Sequence, residues 1–240
     1  MRAETGKLNP HEIGILLRGE LEPVTAWIGG WDTRRFALHI ATIIAGAGLY
    51  GAAMGWWRDP QQALFTAIKF PLIILLTTLG NALLNAMLAP LLGLNIPFRQ
   101  SFSAILMSFA VAAAILGAFS PLMAFMIWNA PPMSSAAASE PTYNFIKLAQ
   151  VAIIAFAGVA GNVRLFQLLA RLGGSRAVAR RVLFAWLAGN LFLGSQLSWI
   201  LRPFIGSPSL PVEFLRAAAL RGNFYENVFH SLLQILRQFD

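Results

Sequence analysis

The chain has no cysteine and unusually few charged residues. The absence of Cys from its 240 residues excludes disulfides and thiolate metal sites, and with them most redox chemistry. Only 12% of the residues are charged, whereas about 25% are charged in an ordinary soluble domain. This low charge argues against a soluble globular protein.

Enzyme signatures are also missing. The chain contains no His-Glu-x-x-His, no Gly-x-Ser-x-Gly, no glycine-rich phosphate loop and no close pair of carboxylates within or beside an apolar run. We therefore predict that the protein is not an enzyme, and we expect no catalytic residue, no metal and no cofactor. His39 stands alone in an apolar run, without a second ligand at metal-binding spacing, so we interpret it as a helix-contact residue. Ligation of a heme or pigment by His39 or His230 is an open alternative.

Apolar sequence dominates the chain. Hydrophobic residues make up 57% of it and the mean hydropathy is +0.63. About 20 mostly apolar residues cross a hydrocarbon core of about 30 Å, and five runs reach that length: 36–57, 68–92, 101–128, 145–170 and 182–201. We predict an all-α, polytopic integral membrane helical bundle of about five transmembrane helices. Residues 1–35 form an N-terminal segment, 36–201 the bundle, and 202–240 a proline-stiffened exit with a C-terminal tail.

Amphipathic helices are predicted at both ends of the chain. Within residues 9–28, Ile13, Leu16, Leu17 and Leu21 share one helical face, and Pro23 is expected to end that helix. In the tail, Asn223 can cap a helix with Glu226 three residues on. Each segment is interpreted as a membrane-surface anchor or as a docking helix for a partner.

The basic residues predict an orientation. For five spans, about eleven Lys and Arg fall on the side of the N-terminus and about seven on the other. By the positive-inside rule the N-terminus is then cytoplasmic, although one re-entrant span would reverse the tail. Lys69 is expected to snorkel to the headgroups.

The excess of Arg over Lys suggests a bacterial protein, and we therefore expect it in the inner membrane. Topology and anionic lipids explain the net charge of +8 better than nucleic acid does.

Gly-Asn pairs recur in the second, fourth and fifth spans. An Asn within lipid must form a hydrogen bond, and a neighbouring Gly allows another backbone to approach. The first span adds a stripe of small residues at four-residue spacing, beginning at Ala47. The predicted helix-packing residues are Gly51, Gly55, Gly80, Asn81, Gly161, Asn162, Gly189 and Asn190. The alternative is a polar pathway lined by Asn81, Asn85, Asn162, Asn190 and Gln196.

That pathway is disfavoured on two grounds. Ion transport usually requires a carboxylate within the membrane, and none lies inside a predicted span. Asn190 and Gln196 are six residues apart, which is about 240° of rotation on a helix, so the fifth span has no continuous polar stripe.

The stretch "SWILRPFIGSPSLPVEFL", residues 198–215, is the most unusual part of the chain. Pro203 cannot continue a hydrogen-bonded helix, so the fifth helix should end where Trp199 and Arg202 suit a membrane interface. The stretch is either a simple membrane exit or a surface on which Arg202 binds a lipid phosphate or a partner carboxylate. Candidate lipid or partner contacts are Trp199, Arg202, Phe204, Ser207, Asn223, Tyr225 and Glu226.

Several motifs carry a resemblance. "KFPLIILLTTL", "PFRQSFSAIL" and the exit "QLSWILRPFIGSPSLPVEFLR", followed by "GNFYENV", resemble an uncharacterised family of bacterial polytopic membrane proteins with an LRPFxGSP exit motif. The layout is loosely similar to that of Yip-type membrane proteins. The resemblance implies a membrane location and a fold, but no reaction.

Two functions of different kinds are compatible with the sequence. The first is a non-enzymatic membrane subunit or scaffold that binds membrane lipids and other membrane proteins or a second copy of itself. The second is a transporter or channel component with an amide-lined pathway. No nucleic acid is expected as a partner, because no basic patch is interleaved with aromatic residues.

Overall fold

The computed structural model describes residues 11–30, 32–133, 140–206 and 210–226. Within these ranges the chain forms seven α-helices and no strand. The helices are α1 His11–Arg18, α2 Leu21–Gly29, α3 Thr33–Trp56, α4 Pro60–Leu91, α5 Phe98–Trp128, α6 Glu140–Leu172 and α7 Arg176–Ile200. Five of them, α3 to α7, are long and apolar enough to cross a membrane. The predicted all-α polytopic bundle is confirmed, whereas the tail beyond residue 226 lies outside the described residues.

Short polar side chains set the starts of three membrane helices. Asp32 accepts from the backbone N–H of Arg34 before α3, and Ser175 accepts from Ala177 before α7. Before α4, Asp59 accepts from the N–H of Gln61 at 2.7 Å. A side-chain acceptor of this kind satisfies a free N–H of the first turn. Because of this cap, α4 begins at residue 60 and not near 68, so its first two turns are more polar than the predicted span.

The five long helices form two sets that share α4 and α5. Helices α3, α4 and α5 all contact one another, and α4, α5, α6 and α7 form a closed ring of contacts. In the most apolar part of each helix, 56% of the residues of α5 are buried but only 17% of those of α7. Helix α5 is therefore central, and α6 and α7 present broad apolar faces to the lipid.

The N-terminal helices pack against one end of the bundle. Leu16 of α1 and Val24 and Ile28 of α2 are buried in a core shared with α5 and α6. Arg164 of α6 donates from Nη2 to the carbonyl oxygen of Leu17 at 2.8 Å. Since the segment after α7 packs on the start of α4, it lies at the opposite end of the bundle.

The predicted break in the N-terminal helix is at a different residue. Helix α1 ends at Arg18, and Gly19, with a φ of 75°, turns the chain into α2. Pro23 lies in the first turn of α2, where its missing N–H costs no hydrogen bond. The helix is thus broken before Pro23, as expected, but the break is at Gly19 and not at the proline. Residues 9 and 10, the predicted start of this helix, lie outside the described residues.

Candidate functional site: the exit corner

The chain that follows α7 folds back over the first turns of α4. We call this region the exit corner: residues 201–206 and 210–226, together with the α4 side chains beneath them. Gly206 has a φ of 90°, which favours glycine, and a Cβ there would lie 2.8 Å from Cγ of Arg58. Arg58 also donates from Nη2 to the carbonyl oxygen of Leu210 at 3.3 Å. The turn is thus seated directly on the loop between α3 and α4.

Three polar residues on one face of α4 bind the exit backbone. Gln62 donates from Nε2 to the carbonyl oxygens of Pro203 and Phe204, at 3.0 Å each. Thr66 Oγ1 lies 2.7 Å from the Phe204 oxygen, and Lys69 Nζ lies 3.0 Å from the Pro203 oxygen. Each carbonyl therefore has two side-chain donors within reach. Buried carbonyls need such partners, because an unpaired one costs about as much as a lost hydrogen bond.

Lys69 is fully buried at this contact. Its Nζ lies 5.0 Å from the ring centroid of Phe214, 5.9 Å from that of Phe65 and 6.0 Å from that of Phe204. Burying an ammonium group is costly, and the charged hydrogen bond to Pro203 and the three rings offset part of that cost. The expected snorkelling of Lys69 does not occur, because the exit segment covers it.

The end of the exit corner packs on α7. The Tyr225 hydroxyl lies 2.9 Å from Oγ of Ser195, and its ring stacks on Phe192 with centroids 5.9 Å apart. Asn223 accepts from the N–H of Glu226 at 2.8 Å, which is the predicted cap, and residues 224–226 form a helical turn. The exit corner therefore connects α4 with α7.

Positive charge accumulates in the corner. Arg202 stacks over the ring of Trp199, with Cζ 3.7 Å from the centroid. Burial, and then the like charge of Arg216, lowers the pKa of Arg202. Between residues of the described ranges, the ion pairs lie at the other end of the bundle, among Arg18, Glu20, Arg35, Glu12 and Asp32. No ion pair within those ranges involves Arg58, Lys69, Arg202 or Arg216. Such a corner can bind an anionic group such as a phosphate or carboxylate.

The predicted contact residues occupy different positions in the corner. Phe204 packs inward against Phe70 with centroids 6.5 Å apart, while Asn223, Tyr225 and Glu226 are exposed. Ser207 lies outside the described residues. The sequence reasoning missed Gln62 and Thr66. Their spacing with Lys69, at i, i+4 and i+7 of one helix, was the available signal.

The predicted packing glycines are all approached by another helix. At each of them an added Cβ would lie within 3.0 Å of an atom of a neighbouring helix: Gly51, Gly55, Gly80, Gly161 and Gly189. At Gly51, for example, the atom is the carbonyl oxygen of Thr66 in α4, 2.6 Å away. Such close approach is what small residues allow between membrane helices.

The asparagines within the membrane helices are in three different situations. Asn81 of α4 donates from Nδ2 to the Trp186 carbonyl at 3.1 Å and to Oδ1 of Asn190 at 2.6 Å, both on α7. Asn162 differs from expectation, since it donates to Gly158 of its own helix at 2.8 Å. Asn85 is fully buried, and its amide has no hydrogen-bond partner in the described part of the chain.

Metal-binding side chains do not converge in the described ranges. No group of three or more His, Asp or Glu residues that could hold a metal ion occurs among the described residues. His39 is buried in α3, and its Nε2 has no hydrogen-bond partner within the described ranges. His230 lies outside them.

Comparison of the chain with protein-family models, with curated proteins and with solved structures gives no match. The geometry of the chain itself is therefore the basis for a functional proposal.

Proposed function

We propose that the protein is a non-enzymatic subunit or scaffold of a bacterial inner-membrane complex, with a cytoplasmic N-terminus and an exit corner that contacts lipids or a partner protein. The observation that carries the proposal is the pairing of Asn81 with Asn190 and Trp186. Two amides that a polar pathway would expose to water, those of Asn81 and Asn190, are instead used to join α4 to α7. A packed bundle of this kind suits assembly better than conduction.

Two surfaces support the assembly role. The outer faces of α6 and α7 are apolar, with Phe145, Leu148, Phe184 and Leu191 each at least 64% exposed, so they suit contact with lipid tails or with other membrane helices. The exit corner adds positive charge next to Trp199, at a position where indole and guanidinium groups suit the membrane interface. An anionic headgroup or an acidic partner segment would complement that charge.

The proposal can be tested by extracting the full chain gently from its native membrane and identifying by mass spectrometry what accompanies it. We expect a stoichiometric membrane protein or a second copy. Arg202→Ala should weaken binding of the partner between about tenfold and a hundredfold, because a charged hydrogen bond contributes about 1.5–3 kcal/mol. Arg221→Ala is the matched control, since this exposed arginine lies in the same segment.

A different result of the same experiment would overturn the proposal. If the protein is recovered alone as a monomer and liposomes containing it leak a small solute, the scaffold proposal is wrong.

A transporter is the second candidate, and Asn85 favours it. A fully buried amide without a described partner is costly, by about 1–3 kcal/mol, and a permeating solute or water chain would satisfy it. In that case Asn85→Leu should abolish solute flux through liposomes while the protein remains folded. Under the scaffold proposal, Asn85→Leu leaves the liposomes as tight as the wild type does.

The orientation can be tested with thiol labelling, since the chain has no cysteine of its own. Glu22→Cys lies in α2 and Arg221→Cys in the exit corner, and both positions are exposed. In intact cells, a membrane-impermeant maleimide should label Arg221→Cys only. Labelling of Glu22→Cys alone would reverse the proposed orientation.

A further inference from the structure

A groove runs along the outer side of α6 and α7, apart from the exit corner. It has a volume of about 850 Å³ and is lined by residues of these two helices and the turn between them. Its apolar wall includes Val159, Val163 and Phe166 of α6 and Leu183 and Leu187 of α7. Val159 is 64% exposed and Val163 47% exposed, so the groove opens to the surroundings of the bundle.

The depth of the groove matches one leaflet of a bilayer. Its lining on α6 extends from Val159 to Arg171, and twelve residues of helix are about 18 Å long. Half of a hydrocarbon core of about 30 Å is about 15 Å. The groove lies in the second half of α6, at the end of the bundle that carries α1 and α2. The apolar wall is therefore about as long as an acyl chain of that leaflet.

The mouth of the groove is basic. Arg171 at the end of α6 and Arg176 at the start of α7 line it, and both side chains are exposed. Neither forms a side-chain hydrogen bond or ion pair with another described residue. Arg180 and Arg181 follow on α7 but do not line the groove. Guanidinium groups at the depth of the headgroups bind phosphate through charge and paired hydrogen bonds.

The polar side chains inside the groove already have partners. Asn162 donates to the carbonyl oxygen of Gly158, and Oε1 of Gln167 accepts from Nη1 of Arg164 at 3.1 Å. The groove therefore has an apolar wall below a cationic mouth. Such a wall does not suit a water-soluble polar ligand.

We propose that the α6–α7 groove is a binding site for one anionic phospholipid of the leaflet on the side of α1 and α2, with its phosphate at Arg171 and Arg176 and an acyl chain along Val163, Phe166 and Leu187. The inference goes beyond the scaffold proposal and does not depend on it, because a transporter would hold the same lipid.

The charge of the mouth is tested by lipid retention. The full chain, purified in a mild detergent, is mixed with equimolar phosphatidylglycerol and phosphatidylcholine and separated from free lipid, and the retained lipids are quantified by mass spectrometry. The wild type should retain phosphatidylglycerol preferentially. Arg171→Gln and Arg176→Gln should each lower the ratio of the two lipids about fivefold, since each basic residue contributes about 1 kcal/mol near an anionic headgroup.

Arg181→Gln is the control for net charge, because it removes the same charge from α7 at a residue that does not line the groove. It should leave the ratio unchanged. Equal losses in Arg176→Gln and Arg181→Gln would mean that general surface charge attracts the lipid, and the proposed site would be wrong. A wild type without any preference would also overturn it.

The apolar wall is tested separately. Val163→Trp fills the groove without changing the charge, whereas Val151→Trp places the same ring on the outer face of α6. Only Val163→Trp should reduce retained phosphatidylglycerol. If it instead lowers the oligomeric mass while lipid retention is unchanged, a second copy occupies the groove and the lipid assignment fails. Recovery of a partner protein through the exit corner should be the same in both variants.

Discussion

Lys69 Nζ lies 3.0 Å from the carbonyl oxygen of Pro203, 134 residues further along the chain. This contact joins the third turn of α4 to the first residues after α7, and the same Pro203 oxygen also accepts from Nε2 of Gln62. A carbonyl with two donors tolerates the loss of one of them, because the second still satisfies it.

Because the Pro203 oxygen has two donors, mutations of the donors should have a non-additive effect on opening of the exit corner, that is, on its separation from α4. Gln62→Leu or Lys69→Met alone should have a small effect, whereas the double variant leaves the Pro203 oxygen buried and unpaired, at a cost of about 1–3 kcal/mol. Opening can be followed by maleimide labelling of Ala219→Cys, a position in the corner that is 8% exposed. In the double variant, labelling should accelerate between about fivefold and a hundredfold.

Lys147→Met is the matched control for Lys69→Met. Lys147 is exposed on α6, and its Nζ lies 5.1 Å from the Tyr143 ring centroid. Labelling of Ala219→Cys should not change in this variant. If Gln62→Leu combined with Lys69→Met labels no faster than the wild type, these hydrogen bonds do not hold the corner.

The sequence predicted the five spanning helices but not the corner, and the reason is physical. Apolar length is a local property, so runs such as 101–128 are visible without knowledge of the fold. The burial of Lys69 depends on Pro203 and Phe214, which are distant in sequence. The start of α4 was also missed, because Gln62 and Thr66 make its first turns more polar than the runs by which membrane helices are identified. Asp59 and Pro60 are nevertheless a recognisable helix start.

The crossing of α3 and α5 predicts that Gly46→Ala is strongly destabilising. A Cβ at Gly46 would lie 2.1 Å from the carbonyl oxygen of Ala113, and a backbone atom cannot move aside as a flexible side chain can. Overpacking typically costs about 1–3 kcal/mol. Gly46 was not among the predicted packing residues, because it lies beside the Ala47 stripe and faces α5. The apparent melting temperature in detergent should fall.

Gly158→Ala provides the comparison for Gly46→Ala. Gly158 is also within a membrane helix, but apart from the backbone of α6 itself no atom of the described residues lies within 4 Å of the place where its Cβ would be. Since alanine is the better helix former by about 1 kcal/mol, this variant should be neutral or slightly stabilised. Equal melting temperatures for the two variants would contradict the close crossing.

The amide contact between α4 and α7 predicts a measurable coupling energy. Asn81 and Asn190 are 2.6 Å apart at Nδ2 and Oδ1, and hydrogen bonds between membrane helices average about 0.6 kcal/mol with a maximum near 1.7. A double-mutant cycle of Asn81→Ala and Asn190→Ala, measured by unfolding in mixed micelles, should give a coupling in that range. The cycle of Asn81→Ala with Asn162→Ala should give none, because Asn162 bonds within its own helix.

Repulsion between Arg202 and Arg216 predicts a salt-dependent and lipid-dependent effect. Burial is the main cause of the lowered pKa of Arg202, and the like charge of Arg216 lowers it further, so Arg216 disfavours the charged form of Arg202. In zwitterionic micelles at low salt, Arg216→Gln should stabilise the closed corner and slow labelling of Ala219→Cys about twofold, which is the size of a screened surface interaction. At 1 M salt the difference should vanish, since the screening length is then about 3 Å.

Anionic lipid should reverse the sign of this effect if the exit corner binds a headgroup phosphate. A phosphate between Arg202 and Arg216 would convert their repulsion into two attractions, and Arg216→Gln would then remove one of them. In micelles that contain phosphatidylglycerol the variant should therefore label faster than the wild type. Arg221→Gln should label at the wild-type rate in these micelles and in the zwitterionic ones. If Arg216→Gln slows labelling equally in both lipids, the corner carries unbalanced charge without binding a headgroup, and an acidic segment of a partner protein is the remaining contact proposed for it.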